Sequence, residues 1–299
     1  MTSKLIPKNP SEVMVIRKVT PNITTLSVPF ERYGRIKVGG RGTIVRLQSG
    51  ALAVFSPVAL TPEVRTTVEE LGGNVRYITA LDFEHHIFLG DWHKAFPEAK
   101  VIGPEGLPEK RKQQKYEEVP FSTVFTRAAH DNNEDIRIDP DFDSDFEYEY
   151  VPSHANRELA FLYKPDRTLI EADLLFNLPA TEQYSRTGKK ATSGFLTKFF
   201  AKAMRTKGKA RVQRRLLWYL VTRQDRIGFG KSMARIDKWN FDRIIPCHGD
   251  VIEIGGKAIF RNVMEWHLRE LKAAFWHKKY EQPKAKETKE VAKEEKKAQ

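Results

Sequence analysis

A single cysteine, Cys247, is the whole thiol content of the 299 residues. An internal disulfide is therefore excluded, and this usage agrees with a reducing compartment. No stretch approaches the roughly 20 consecutive apolar residues of a membrane-spanning helix, which excludes an integral membrane protein of that kind. The opening stretch, MTSKLIPKNPSEVMVIRKV, has neither an uninterrupted apolar core nor a small-residue cleavage site, so no secretory signal is expected and a cytoplasmic location is. The sequon at Asn22 then reads as chance. No Gly-Lys-Ser/Thr closes the Gly39-Gly40-Arg41-Gly42 cluster, and strand-type residues follow it, so it reads as a turn rather than a phosphate loop. No internal repeat suggests a solenoid.

Acidic residues are almost missing from residues 185–236, where 15 Lys and Arg stand against Asp225 alone, a local charge of +14. The whole chain carries +12, so its basicity belongs to this one segment and is not a footprint spread over a nucleic-acid-binding domain. Residues 131–150 are the opposite extreme, with nine acids against Arg137. The two segments either neutralise each other or face different partners.

What is present is ordinary for a globular protein: 40% hydrophobic and 30% charged residues, with 18 Gly and 16 Pro. The length suits one large domain or two small ones. The stretch ITTLSVPF and the run from Gly34 to Val58 read as strands broken by Gly-Gly and Ser-Gly turns. Thr61-Pro62 opens a helix, Thr as cap and Pro in the first turn, that ends at Gly72-Gly73. NVRYITAL is a buried strand, residues 87–96 a helix, 100–103 a short strand, and 104–115 a loop or broken helix. FEYEYVPS, ELAFLYKP and RTLIEADLLFNL are three further strands. Residues 194–236 are helical, with Phe195, Phe199, Leu216, Leu217 and Leu220 set among cations. FDRIIPCHGDVIEIGG reads as strand, loop and short strand, and one helix closes the fold. The segment from about 281 to 299 has too few apolar residues to order itself. Strands followed by helices in this order imply an α/β or α+β sandwich.

Of the eight histidines, His267 and His277 are expected on a partly exposed helix face, His93 on another, and His130 at the start of the acidic segment. The remaining four follow strand ends: His85 and His86 after VRYITALDFE, His154 after EYEYVPS, His248 after RIIPC. Asp173 likewise ends RTLIEA. Loops at strand ends gather side chains into one crevice. Taken singly, each is more readily structural; together, imidazoles and a carboxylate form a donor set for zinc, iron or manganese.

At these residues the chain resembles the metallo-β-lactamase fold superfamily, and within it the DUF4336 family, over about residues 11–276. The resemblance is carried by EHHIFLGDWHKAFPEAKVIGPEGL, HANRELAFLYKPDRTLIEADLLFNL and WNFDRIIPCHGDVI. It implies an αββα sandwich, two packed mixed sheets with helices on both outer faces, forming one domain over residues 1–280 with a basic helical insert at about 185–236. It also implies a metal cleft at one sheet edge. The chain departs from the superfamily's His-x-His-x-Asp-His: Leu81-Asp82-Phe83-Glu84-His85-His86 stands there. If His85 and His86 replace the final pair, Leu81 and Phe83 occupy the first two histidine positions and one of the superfamily's two metal sites is crippled. A register shifted by one puts Asp82 and Glu84 there instead.

One divalent metal ion, zinc with iron or manganese as alternatives, is expected near His86, Asp173 and His248, with His85 and His154 in the ligand set and Asp82 a further candidate. The function implied is hydrolysis of an ester, thioester, lactone or phosphodiester by metal-bound hydroxide. No general acid is assigned, and Asp250 and Tyr184 near the cleft edges are equally explained as turn and packing residues. The substrate is a small molecule, with a weak hint of negative charge. The alternative is a catalytically degenerate protein on the same fold, a binding or scaffold protein that meets nucleic acid or an anionic membrane through the basic segment. For that segment, a solvated face or a lid over the cleft is the plainer reading.

Overall fold

The computed structural model describes residues 7–280, so the segment 281–299 expected to be disordered lies outside the described residues. A short helix α1 (Pro10–Val13) leads into strands β1 (Val15–Lys18), β2 (Ile23–Val28), β3 (Glu31–Arg32), β4 (Ile36–Lys37), β5 (Gly40–Arg46) and β6 (Leu52–Phe55). Helix α2 (Pro62–Glu70), strand β7 (Val75–Thr79), helix α3 (Leu89–Ala95), strand β8 (Lys100–Pro104), helix α4 (Leu107–Gln113) and strand β9 (Phe121–Phe125) follow. Helices α5 (Arg127–Asp131) and α6 (Pro140–Asp145) precede strands β10 (Phe146–Val151), β11 (Glu158–Tyr163) and β12 (Thr168–Glu171). Helices α7 (Phe195–Ala203), α8 (Arg211–Leu216) and α9 (Arg226–Ile236), strand β13 (Arg243–Pro246), and helices α10 (Gly256–Val263) and α11 (Glu265–Tyr280) complete the chain.

The strands form two main sheets, ordered β1-β2-β5-β6-β7-β8-β9 and β10-β11-β12-β13, plus the small β3–β4 hairpin. Pairing is antiparallel up to β6 and parallel from β6 to β9; in the second sheet only β12 and β13 run parallel. Both sheets are therefore mixed. Alternation decides the layers. Ile23, Val45, Phe55, Tyr77 and Ile102 of the first sheet meet Phe146, Leu159, Phe161, Ile170 and Ile245 of the second in a central core. The opposite face of the first sheet, with Leu26, Ile44, Val54 and Ile78, buries Val64 and Val68 of α2 and Trp92 of α3. The opposite face of the second, with Ala160, Leu162, Leu169 and Ile244, buries Phe229 and Met233 of α9 and Phe260 and Val263 of α10. The architecture is an αββα sandwich.

Local signals explain several boundaries. Thr61 accepts the Val64 N–H at 3.4 Å and Pro62 occupies the first turn, so α2 begins where the sequence says it should. Residues 104–115, expected as loop or broken helix, contain α4, which is short enough that its pattern hardly registers. The expected single closing helix is two, α10 and α11. The acidic segment pairs mainly with the first sheet: Asp139 meets Arg76 and Lys100, and Asp141 meets Arg76. Its link to the basic segment runs through Arg235, which meets Glu149 at 2.9 Å and donates to Asn133 Oδ1 at 3.0 Å.

Candidate metal centre

The ends of β7, β12 and β13 come together at one edge of the sandwich, and the loops that follow carry His85, Asp173 and His248. One ligand atom of each lies within 4.8 Å of the others. His85 Nε2 is 3.2 Å from His248 Nε2, and the latter is 3.2 Å from Asp173 Oδ1.

The outer contacts fix which atoms face inward. His85 Nδ1 lies 2.8 Å from Asp82 Oδ1, and His248 Nδ1 lies 2.6 Å from the Gly39 carbonyl oxygen. Both acceptors engage an N–H on Nδ1, so Nε2 is the atom each ring turns toward the other and the one it would offer to a metal. Asp173 Oδ2 accepts from Asn156 Nδ2 at 2.6 Å, whereas its buried Oδ1 faces His248 Nε2. Three potential ligand atoms thus converge on one point. Two imidazoles and a carboxylate with their outer atoms already engaged fit a catalytic divalent metal site. His85, although burial pulls its pKa down, is raised to about 9 by the Asp82 carboxylate and by Asp173. Burial pushes Asp173 upward, but the hydrogen-bonding contact and charge of His248, with the charges of His85 and His154, win and hold it below the usual carboxylate range.

The loops that carry these groups are locked from below. Fully buried Glu158 accepts the N–H groups of Ala172 (2.6 Å) and Asp173 (2.9 Å to one oxygen, 3.0 Å to the other), and burial keeps its carboxyl well above the usual range. The stretch after β12 and the stretch after β13 interlock, Asn177 N–H reaching His248 O and Asp250 N–H reaching Asn177 O. Gly249 allows this crossing: its φ is +95° and a Cβ there would stand 2.2 Å from Asn177 O. Arg41, on β5, has a fully buried guanidinium that donates to Pro246 O (2.6 Å), Gly249 O (2.7 Å) and Ser27 Oγ (3.0 Å). Gln183 donates to Cys247 O and accepts from Gly249 N–H.

The other expected ligands lie outside this cluster. His86 turns away: its Nδ1 sits 3.3 Å from Arg111 Nη1, its ring is edge-on to Tyr116, and burial followed by the charges of Lys110 and Arg111 lowers its pKa to about 4. His154 is buried with its pKa lowered by that burial; its Nδ1 accepts from Asn156 N–H at 3.2 Å and its Nε2 has no partner. Asp82 is buried and caps its own turn, accepting from the N–H groups of Glu84 and His85 as well as from the His85 ring. Glu84 pairs with Lys110 at the surface, Leu81 is core, and Phe83 packs under the cations of Lys110 and Arg157. Asp250 and Tyr184 are structural: Asp250 accepts from Glu182 N–H and the Thr181 hydroxyl, and Tyr184 donates to Phe30 O. His267 corrects the expectation of a partly exposed residue. It is 1% exposed beside Thr222 and Phe229, because α11 packs on α9. The His277 side chain lies outside the described residues.

Asn156, Glu158, Arg41 and Gln183 were not legible as site residues. Each acts through a contact more than ten residues away in sequence, and the Glu158 and Arg41 side chains sit in strands that read as ordinary sheet. Asp82→Asn tests the outer contact: metal affinity is expected to fall roughly 10–100-fold with the fold retained, read by competition with a chromogenic chelator. Unchanged affinity would remove Asp82 from its positioning role.

The cluster lies in a cavity of about 400 Å³ whose walls include Val28, Phe30, Val58, Phe88 and Phe176, with Arg32 and Tyr33 on the small hairpin. Comparisons with known proteins agree with the architecture. The metallo-β-lactamase from Pontibacter korlensis superposes with a TM-score of 0.52 at 11% identity, covering 85% of this chain and 98% of that one. The metallo-β-lactamase from Hirschia baltica gives 0.52 at 10% identity, covering 85% and 97%. The metal-soaked Flv1 flavodiiron core from Synechocystis sp. PCC6803 gives 0.55 at 12% identity, covering 85% of this chain and 60% of that one. Identities this low establish the shared fold and nothing finer. No curated protein matches the chain. The profile of the domain of unknown function DUF4336 matches residues 32–186, more than half of the chain, and the protein belongs to that family.

Proposed function

We propose that the protein is a metal-dependent hydrolase whose ion is held by His85, Asp173 and His248. The observation that carries this reading is the convergence of two imidazole Nε2 atoms and a buried carboxylate oxygen in a largely apolar cavity. A divalent cation bound there supplies Lewis acidity toward a scissile carbonyl and a water molecule. The chain's own residues do the positioning. Asp82 and the Gly39 carbonyl hold the two rings in orientation, and Asn156 keeps one Asp173 oxygen turned away from the centre. Phe30, Val58, Phe88 and Phe176 exclude bulk water and favour an apolar acyl group. Carboxylic ester, thioester and lactone bonds suit these walls better than a phosphodiester, because among the described residues Arg32 is the one Lys or Arg of the lining besides the fully engaged Arg41.

Chelator-stripped protein is expected to hydrolyse a chromogenic acyl ester, an acyl thioester or a lactone only after one equivalent of zinc, iron or manganese is restored. Protein that carries its metal yet turns over none of the three classes would contradict the hydrolase reading and leave a binding protein on this fold.

A further inference from the structure

Seven of the nine large hydrophobic side chains exposed among the described residues lie between 195 and 227: Phe195 (84%), Leu196, Phe199 (69%), Val212, Tyr219, Leu220 and Ile227. The same stretch belongs to the segment with 15 cations and one acid. Among the described residues only Arg214 and Arg235 of those cations contact a carboxylate. Helix α7 shows how the two kinds of side chain are arranged. Thr197 and Ala201 are buried against β4 and its surroundings, and Thr197 Oγ1 accepts the Lys37 N–H, so the helix is seated on the fold. Phe195, Lys198, Phe199 and Lys202 follow the i, i+3, i+4, i+7 spacing of one face, and all four are exposed. Lys202 near the end of α7, Arg205, Lys207 and Lys209 in the loop, and Arg211 at the start of α8 surround a second cavity of about 330 Å³.

We infer that α7 and the loop to α8 dock the protein on an anionic lipid surface, with Phe195 and Phe199 entering the headgroup region and the surrounding Lys and Arg meeting lipid phosphates. Aromatic side chains beside unpaired cations on a rigid helix face are what interfacial binding requires. A second copy of the chain would bring two faces of the same strong positive charge together, which opposes self-association here. Nucleic acid would engage the cations but leaves Leu196, Val212 and Leu220 without a role, since aliphatic side chains do not stack on bases. The inference is independent of the metal reading. Because α7 packs on the hairpin that forms one cavity wall, with Tyr33 77% exposed at its tip, docking sets the cavity mouth near the lipid.

The test is flotation of the full chain with phosphatidylcholine vesicles, with and without about one third phosphatidylserine. Binding is expected only to the anionic vesicles and is expected to weaken as salt rises. Phe195→Ser with Phe199→Ser, and separately Lys198→Glu with Lys202→Glu, are each expected to lower partitioning at least about tenfold, with melting temperatures unchanged because all four side chains are exposed. Absence of flotation at low salt would overturn the inference. So would full binding by both double variants, or capture of labelled nucleic acid in place of vesicles.

Discussion

Arg41→Ala is expected to destabilise the protein by about 3 kcal/mol or more, the largest loss of stability from any single side chain near the site. The guanidinium is fully buried and joins β5 of the first sheet to the carbonyls of Pro246, which ends β13 of the second, and of Gly249 in the loop that follows. Alanine leaves both carbonyls without donors and opens a cavity, and each buried acceptor left unpaired costs about 1–3 kcal/mol. Glu182 loses a 3.4 Å contact but keeps Arg17 at 2.7 Å, so the stranded charge adds little. The melting temperature should fall by about 10 °C in a chain of this size. Arg41→Lys separates charge from geometry. An ammonium cannot serve two carbonyls and Ser27 in the same plane, so most of the loss should persist. Denaturant melts of the three proteins check this, and an Arg41→Ala variant within about 1 kcal/mol of the parent would show that the bridge between sheets is not what holds the His248 loop.

Asp173→Ala is expected to abolish stoichiometric metal binding, an effect well beyond the roughly 10–100-fold of an altered outer contact. The carboxylate is the one anionic donor in the cluster, and without it two imidazoles remain. Its loss also frees Asn156 Nδ2, which then loses its partner on the cavity side. Hydrolysis should disappear together with the metal, while the far-ultraviolet spectrum stays as it is, because Glu158 anchors this loop through the backbone N–H of residue 173 and not through its side chain. Equilibrium dialysis against zinc checks the affinity. Binding of a full equivalent by the variant would place the ion elsewhere.

The layers of this fold were legible where the signal is local. Thr61-Pro62 caps a helix with its own atoms, and ITTLSV or ELAFLY must be strands because β-branched and aromatic runs of that length bury on both faces. His85, Asp173 and His248 were legible as candidates because each closes a strand, and the topology carries the ends of β7, β12 and β13 to one edge. The choice between His85 and His86 was not. The Asp82 carboxylate gathers the N–H groups of Glu84 and His85, and the turn that results aims the two adjacent rings in different directions. Nothing in the spacing of six residues encodes that direction. Arg41 was read as part of a glycine turn, since its partners are more than 200 residues away. The exposure of Phe195 and Phe199 was equally hidden. Helical periodicity shows that they share a face with cations but does not say which face the fold buries.

Metal content by elemental analysis tests the central claim most directly, on protein purified without chelator or affinity metal and compared with His85→Ala, His86→Ala and Asp173→Ala. The account predicts about one equivalent of zinc, iron or manganese in the parent and in His86→Ala, and none in His85→Ala or Asp173→Ala. A parent that stays empty after reconstitution, or a metal lost from His86→Ala but kept in His85→Ala, would contradict it.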